Sequence, residues 1–195
     1  MEKINLEPKR VFSPQPVFII GTKNPDESPN FSVITWLSFS FYKNPSIVIT
    51  IGGNKQTKTN IIREQIFSAN LVSTDIIWLA DYFGTTKYEE KLKSEINYDY
   101  KWGNNIHVPV LEKSKWIYEC SVDKTIELDG CHLFLAKIEN IQIDKNFKEM
   151  DLEMIDLIQL DPVLYAPYNY FSIGQRIGAC CEWKTKLDID NNWEF

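Results

Sequence analysis

Trp116-Ile-Tyr-Glu-Cys-Ser-Val-Asp-Lys-Thr-Ile-Glu-Leu-Asp-Gly130 is the stretch that decides the fold. Trp116, Tyr118, Cys120 and Val122 alternate with mostly polar neighbours, among them Glu119, Ser121 and Asp123, and a period of two puts each set on one face of a strand. The apolar set predicts one buried face. Ile126 and Leu128 carry the strand on to Asp129-Gly130, a dipeptide suited to a tight turn, and residues 132–143 supply the return strand of a hairpin.

Working outward from the hairpin, four more strands are predicted. Pro14-Gln-Pro16 precedes the apolar run Val17-Phe-Ile-Ile-Gly-Thr22, and the polar Lys23-Asn-Pro-Asp-Glu-Ser-Pro29 ends it in a turn. Residues 31–41 are rich in β-branched and aromatic side chains and read as one strand, followed by Ser46-Ile-Val-Ile-Thr-Ile51 as another. After Gly52-Gly-Asn54 the pattern changes to good helix formers with Ile61, Ile62 and Ile66, which predicts a short helix over 57–66. Residues 67–72 return to strand, Ser73-Thr-Asp75 can cap a helix running through Ala80, and the charged 88–94 reads as a solvated helix. Six strands with few, short helices predict a mainly β domain, an antiparallel barrel closed or nearly so, since closure removes exposed sheet edges. With no repeat and no linker, the expectation is one domain over 1–195 with an aromatic-rich tail from about 161. That tail includes Tyr165, Tyr168, Tyr170, Phe171, Trp183, Trp193 and Phe195, and must cover either its own barrel or a second subunit.

A net charge of −6 excludes a broad basic face, and with it nucleic acid as the expected partner. The first ten residues lack the apolar core of a signal peptide, and no apolar run approaches the ~18 residues of a membrane span. The expected location is the cytoplasm, with no membrane partner. Cys120, Cys131, Cys180 and Cys181 contain no C-x-x-C pair and read as free thiols, the adjacent Cys180 and Cys181 leaving a redox role open. Only two histidines are present, so no metal site is expected. Rossmann, P-loop and serine-hydrolase signatures are all missing from the sequence.

Chemistry concentrates in two stretches. Gly52-Gly-Asn-Lys-Gln-Thr-Lys-Thr-Asn-Ile-Ile-Arg63 puts Lys55, Lys58 and Arg63 and flexible glycines where a strand hands over to a helix. Free N–H groups and the helix dipole favour an anion at such a junction, with Lys55 and Thr57 able to add donors. The same residues also suit a plain solvated turn with Thr57 as N-cap. Asn30-Phe-Ser-Val-Ile-Thr-Trp-Leu-Ser-Phe-Ser40 interleaves hydroxyls with large apolar groups, as suits the polar rim of a flat ring or an ordinary barrel strand.

Taken together, from about Pro14 to about Gly178, the chain resembles the flavin reductase-like family, flavoredoxins included. The resemblance rests on Pro16-Val17, Pro29-Asn30 ahead of Thr35-Trp36, Asn44-Pro45, Lys55-x-Thr57-x-x-Asn60-Ile61, Phe67-x-x-Asn70, Ala80-Asp81-x-x-Gly84, Gly130-x-His132 and Tyr170-x-x-x-Gly174, in that order. It implies a Greek-key split barrel working as a homodimer, with FMN near the subunit interface. On that likeness Lys55, Thr57 and Asn60 would hold the FMN phosphate, Thr35, Trp36, Leu37 and Ser38 would line the isoalloxazine edge, and Gly53 and Asn54 would border the ribityl chain. His132 is the one candidate catalytic side chain, although Cys131 stands where the family often has Asp. Three functions follow as expectations: an NAD(P)H-dependent flavin or FMN reductase, a flavoredoxin-type electron carrier reduced by a redox protein partner, or a split barrel that binds a ligand without turnover.

Overall fold

The computed structural model describes residues 3–5, 7, 14–41, 43–86, 96–147 and 156–178. The expected helix over 88–94 and the Cys180-Cys181 pair lie outside them, as do Trp183, Trp193 and Phe195. In chain order the elements are β1 (Gln15–Pro16), β2 (Phe18–Lys23), β3 (Pro29–Ile34), β4 (Leu37–Phe41), β5 (Pro45–Gly52), α1 (Gln56–Glu64), β6 (Ile66–Leu71), α2 (Ile77–Thr85), β7 (Tyr100–Trp102), β8 (Pro109–Leu111), β9 (Trp116–Leu128), β10 (Cys131–Ile143), α3 (Leu157–Leu160), β11 (Leu164–Ala166) and β12 (Asn169–Phe171).

Seven strands form one antiparallel sheet in the order β3-β2-β6-β9-β10-β5-β4. Its terminal strands β3 and β4 are separated in sequence only by Thr35 and Trp36. A three-residue step spans at most about 11 Å, so the two edges must meet and the sheet must roll up. They meet without a ladder between them, which is the split in the barrel. The single strand expected over 31–41 is thus two strands on opposite edges. The break falls where the Leu37 N–H bonds back to the Thr35 carbonyl and Trp36 gives its own carbonyl to the Thr50 N–H.

Side chains on the inner face fill the barrel, with Phe18, Ile20, Ile49, Phe67, Cys120 and Phe134 among its fully enclosed members. Each such large apolar group adds about 1.5–3 kcal/mol by leaving water. β2 is buried on both faces, because Val17 and Ile19 look outward into a second cluster with Phe31, Ile76, Leu79 and Phe83 under α2. The hairpin runs as expected, Leu128 facing Cys131 across Asp129-Gly130, with Gly130 at φ 77°. Its polar face does not: Glu119 is as buried as its apolar neighbours, and the strand becomes exposed only from Asp123 onward. Burial, together with the carboxylates of Glu119 and Glu139, pushes the Cys120 thiol far up, so this cysteine is an inert core side chain.

The start of the tail covers its own chain. Val163 is buried, its N–H bonds the Val72 carbonyl and its carbonyl accepts from Val17, while β11 pairs with β1 and the Tyr170 hydroxyl donates to Asp81 on α2. Truncation after Asp161 is therefore expected to cost about 3 kcal/mol or more, the range for a lost core side chain with orphaned backbone groups. An unchanged urea midpoint would show the segment to be a passenger.

Candidate functional site

α1 begins with a mismatch between its charge and its cap. Lys55 is the N-cap residue and offers no side-chain acceptor to the helix, the first turn contains no acid, and Lys58 adds a second cation there. The contrast lies in the same chain: Asp156 caps α3, its carboxylate accepting from the Ile158 N–H. An uncapped first turn leaves N–H donors and the positive end of the helix dipole facing outward, and cations in place of the usual Asp or Ser make that end select an anion.

The approach to this corner is open. Gly53 has φ 69°, and a Cβ built there would meet nothing within 4 Å. Its N–H bonds the Gly130 carbonyl at 3.0 Å, so the β5–α1 loop and the hairpin turn are held side by side although 77 positions separate these two glycines. Gly53, Asn54 and Lys55 are all exposed.

Thr57 and Asn60 face the opposite way. Three residues apart on one side of α1, they are 2% and 0% exposed and join a buried polar network with Thr22, Asn24 and Asn30 of the β2–β3 hairpin. The Asn60 amide donates to Thr22 Oγ1 at 3.2 Å and to Asn24 Oδ1 at 2.9 Å, while its Oδ1 accepts from Gln56 at 2.9 Å and Arg63 at 3.2 Å. Its hydrogen-bonding capacity is used up inside the protein. Asn30 donates to both Thr22 and Thr57 at 3.0 Å. Arg63 also reaches the Lys23 carbonyl at 2.5 Å, fastening the other end of the helix to the same hairpin.

The Thr35–Ser38 stretch lies along β5, with Leu37 opposite Ile49 and Ser38 opposite Val48. Trp36 is 59% exposed and Leu37 is buried. One strand therefore carries both halves of the expected site, since β5 leaves this stretch and reaches Gly52 a few residues later. His132 sits on the other side of β5, opposite Ile51, stacked on Phe134 with centroids 5.9 Å apart and with a buried Nδ1 that has no partner among the described residues. The expected residues thus fall into an exposed rank of Gly53, Asn54, Lys55, Trp36 and Ser38 and an enclosed rank of Leu37, Thr57 and Asn60, with Thr35 and His132 half-buried. Thr22 and Asn24, which hold Asn60 from beneath, carry no signal in the sequence because they look like strand-end and turn residues, and Asn30 stands out there only as the start of the 30–40 stretch. Among the described residues no cluster of His, Cys, Asp or Glu could hold a metal, and no helix is long and apolar enough to cross a membrane.

An antiparallel split barrel with a cationic helix end that has no side-chain cap, at the corner of its sheet, is the class this geometry defines. The chain belongs to the flavin reductase like domain family, whose model matches residues 10–174. It is similar in structure to a flavoredoxin from Methanosarcina acetivorans, with a TM-score of 0.85 at 22% identity over 96% of this chain and 100% of that one. The flavoredoxin of Desulfovibrio vulgaris (Miyazaki F) follows with 0.79 at 20% identity, over 92% and 98% of the two chains. An FMN-binding protein from Thermus thermophilus gives 0.74 at 17% identity, over 92% and 97%. No curated protein matches the chain in sequence.

Proposed function

We propose that the protein binds FMN without a covalent bond, its phosphate at the start of α1 and its ring against Thr35, Trp36, Leu37 and Ser38, and that it is an NAD(P)H-dependent flavin or FMN reductase. The observation that carries this reading is the cationic, uncapped N-terminus of α1 beside the open backbone of Gly53. The donor set fits a phosphate: two lysines, free N–H groups of a first turn and a glycine loop. Membership of the family supports the flavin as the bearer of that phosphate.

When bound, FMN supplies the redox chemistry. Lys55 and Lys58 balance the phosphate charge, and Gly53 and Asn54 border the chain that joins phosphate to ring. From Thr50, beside Trp36, β5 runs on to Gly52, roughly 7 Å of extended backbone before the chain bends at Gly53, a suitable bed for that chain. The side chains of exposed Ser38 and half-buried Thr35 carry hydroxyls that would offer polar contacts to the ring edge. His132, near the same corner, is the candidate side chain for a proton. A homodimer is part of the proposal, and exposed Trp36, Phe39 and Phe41 supply apolar surface for it.

The likeness to two flavoredoxins favours one alternative, an electron carrier reduced by a redox protein partner. Anaerobic addition of NADH or NADPH to the yellow protein separates the two: bleaching marks a reductase, whereas a flavin indifferent to both yet reduced by dithionite marks a carrier. A chain that takes up no FMN would sink both. Lys55→Ala is expected to weaken FMN binding by about 1.5–3 kcal/mol, the contribution of a hydrogen bond to a charged group. Equal affinity of variant and parent in a fluorescence titration would remove Lys55 from the site.

A further inference from the structure

We infer that the outer face of β5 and of the β9–β10 arm, residues 123–133, is an interaction surface for a second copy of this chain, and that a bulge at Asp123 turns the arm to serve it. Cross-strand partners share one face of a sheet. Leu135 pairs with Lys124 and Ala136 with Val122, which leaves Asp123 as an extra residue. Up to Val122 the even positions of β9 face the barrel core, whereas beyond the bulge Ile126 pairs with Leu133 and Leu128 with Cys131. Leu133 and Leu135 pair in turn with Thr50 and Val48 of β5, while Ile49 and Phe134 between them fill the core, so alternation turns this whole set outward. Val48, Leu133 and Leu135 are half-buried and join no core cluster among the described residues, and Ile126 and Leu128 are 49% and 48% exposed.

Elsewhere the barrel covers its own outer face, with α2 over β2 and β3, and β8 with the loop before it over β6 and the first half of β9. The arm has no such cover among the described residues. β6 leaves β9 at Ser121, so from Lys124 onward the strand has β10 on one side only. A bare two-stranded ribbon with an open edge is marginal in water, and a contiguous apolar patch beside it marks a protein contact. The face spans four strands, β9, β10, β5 and β4, about 19 Å across and about 23 Å along seven residues. Two such footprints total about 900 Å² before side-chain relief, close to the ~1,000 Å² at which specific interfaces begin. A two-fold axis makes one face its own partner, so a second copy fits it without any further element. Ser38 pairs with Val48 and faces the same way, and the Gly53 N–H holds the arm's Gly130 carbonyl at 3.0 Å. On the FMN reading above, on which this last step rests, the ring edge therefore lies in the seam between copies. Phe39 turns the other way, its ring against Phe18 and Tyr118.

Sedimentation velocity on the full chain tests this. The parent should run as a dimer, and Ile126→Glu combined with Leu128→Glu should weaken self-association about a hundredfold or more, since each change falls on both sides of the seam. Thr125→Glu puts the same charge on the arm's other face and should leave the dimer intact. Amide exchange over 124–128 in the parent should quicken on dilution through the dissociation constant, a readout that needs no variant. A monomeric parent, which leaves the face to a different protein or a small ligand, overturns the inference. So does a dimer that survives the double variant, whether or not Phe41→Ser dissociates it, and so does an equal loss in Thr125→Glu. An FMN titration separates this failure from that of the reading beneath it: a monomer that binds FMN sinks the inference alone, whereas a dimer with the expected variant behaviour that takes up no FMN sinks the flavin reading alone.

Discussion

Glu119→Ala should lower stability by about 3 kcal/mol or more, a fall in Tm of about 6–12 °C for a chain of this length. Glu119 is 0% exposed in the buried first half of β9, where a lone charge would be prohibitive. It is tolerated because five donors converge on it. Asn104 N at 3.0 Å, Asn140 Nδ2 at 2.6 Å and Gln142 Nε2 at 2.9 Å reach Oε1, and Asn105 N at 2.9 Å and Ile106 N at 2.8 Å reach Oε2. Three successive backbone N–H groups make an anion nest from the loop before β8, so Glu119 ties that loop to the barrel wall. Gly103 begins the loop, and a Cβ there would lie 2.7 Å from Glu119 Oε2.

Glu119→Gln tests the charge apart from the shape, because its NH2 would face two or three donors whichever way it turned. Burial alone raises the carboxyl pKa, but the donors outweigh it and hold it below the ordinary glutamate value. A depressed folded pKa means the stabilisation is complete above the unfolded value of about 4.3 and is lost as pH falls through the folded one. The gap between parent and Glu119→Gln in urea midpoint should accordingly be widest near neutrality and shrink in acid. A gap that grows on acidification, or no gap at pH 7, would show that the charge is not what holds the loop.

The same strand shows how far sequence reading reaches. Alternation located β9 and β10, and Asp129-Gly130 located their turn, because a hairpin is built from neighbours in sequence and leaves a period in the chain. The helix after Gly52 was legible for the same reason, its observed span of Gln56–Glu64 differing only at the ends. Glu119 was illegible: alternation assigns it to the polar face, and the loop over that face comes from residues 13 to 15 positions away with no pattern of their own. The break at Thr35-Trp36 hid because both halves of 31–41 share one β-forming composition, and only the rolling of the sheet separates them. At the candidate site, cations and glycines stand out in an acidic chain, so Gly53, Asn54 and Lys55 draw attention in the sequence, whereas Trp36 and Ser38 enter only through the resemblance. Of the buried rank, Thr57 is singled out beside the cations, whereas Leu37 and Asn60 enter only through the family resemblance, and the partners Thr22, Asn24 and Asn30 lie 27 to 38 positions from the helix residues they hold.

Gly21→Ala is expected to cost about 3 kcal/mol, the upper end of overpacking, because its neighbours cannot yield. A Cβ on Gly21 would sit 2.1 Å from the Pro109 carbonyl oxygen, 2.5 Å from Ser68 Oγ and 2.9 Å from a Phe31 ring carbon. Ser68 could rotate, but it is held to that carbonyl by a 2.6 Å hydrogen bond, and the carbonyl is backbone of β8. Relief would require β8 to lift from the barrel, exposing Val108 and Val110, which pack with Ile117 beneath it. Ser68→Ala in the Gly21→Ala background should therefore restore little, since the backbone oxygen remains. Gly84→Ala is the counterpart: in α2, its nearest contact would be Val33 Cβ at 3.7 Å, so alanine should stabilise by about 0.5–1 kcal/mol through helix propensity. Denaturation midpoints that moved in the same direction for both variants would refute the packing account of Gly21. Thr22 follows directly, its hydroxyl accepting from Asn30 and Asn60, so the strand that must lie close under β8 is also the strand that anchors α1. The absence of a side chain at Gly21 fixes the depth of that strand, and through it the position of the helix end where the phosphate is proposed to sit.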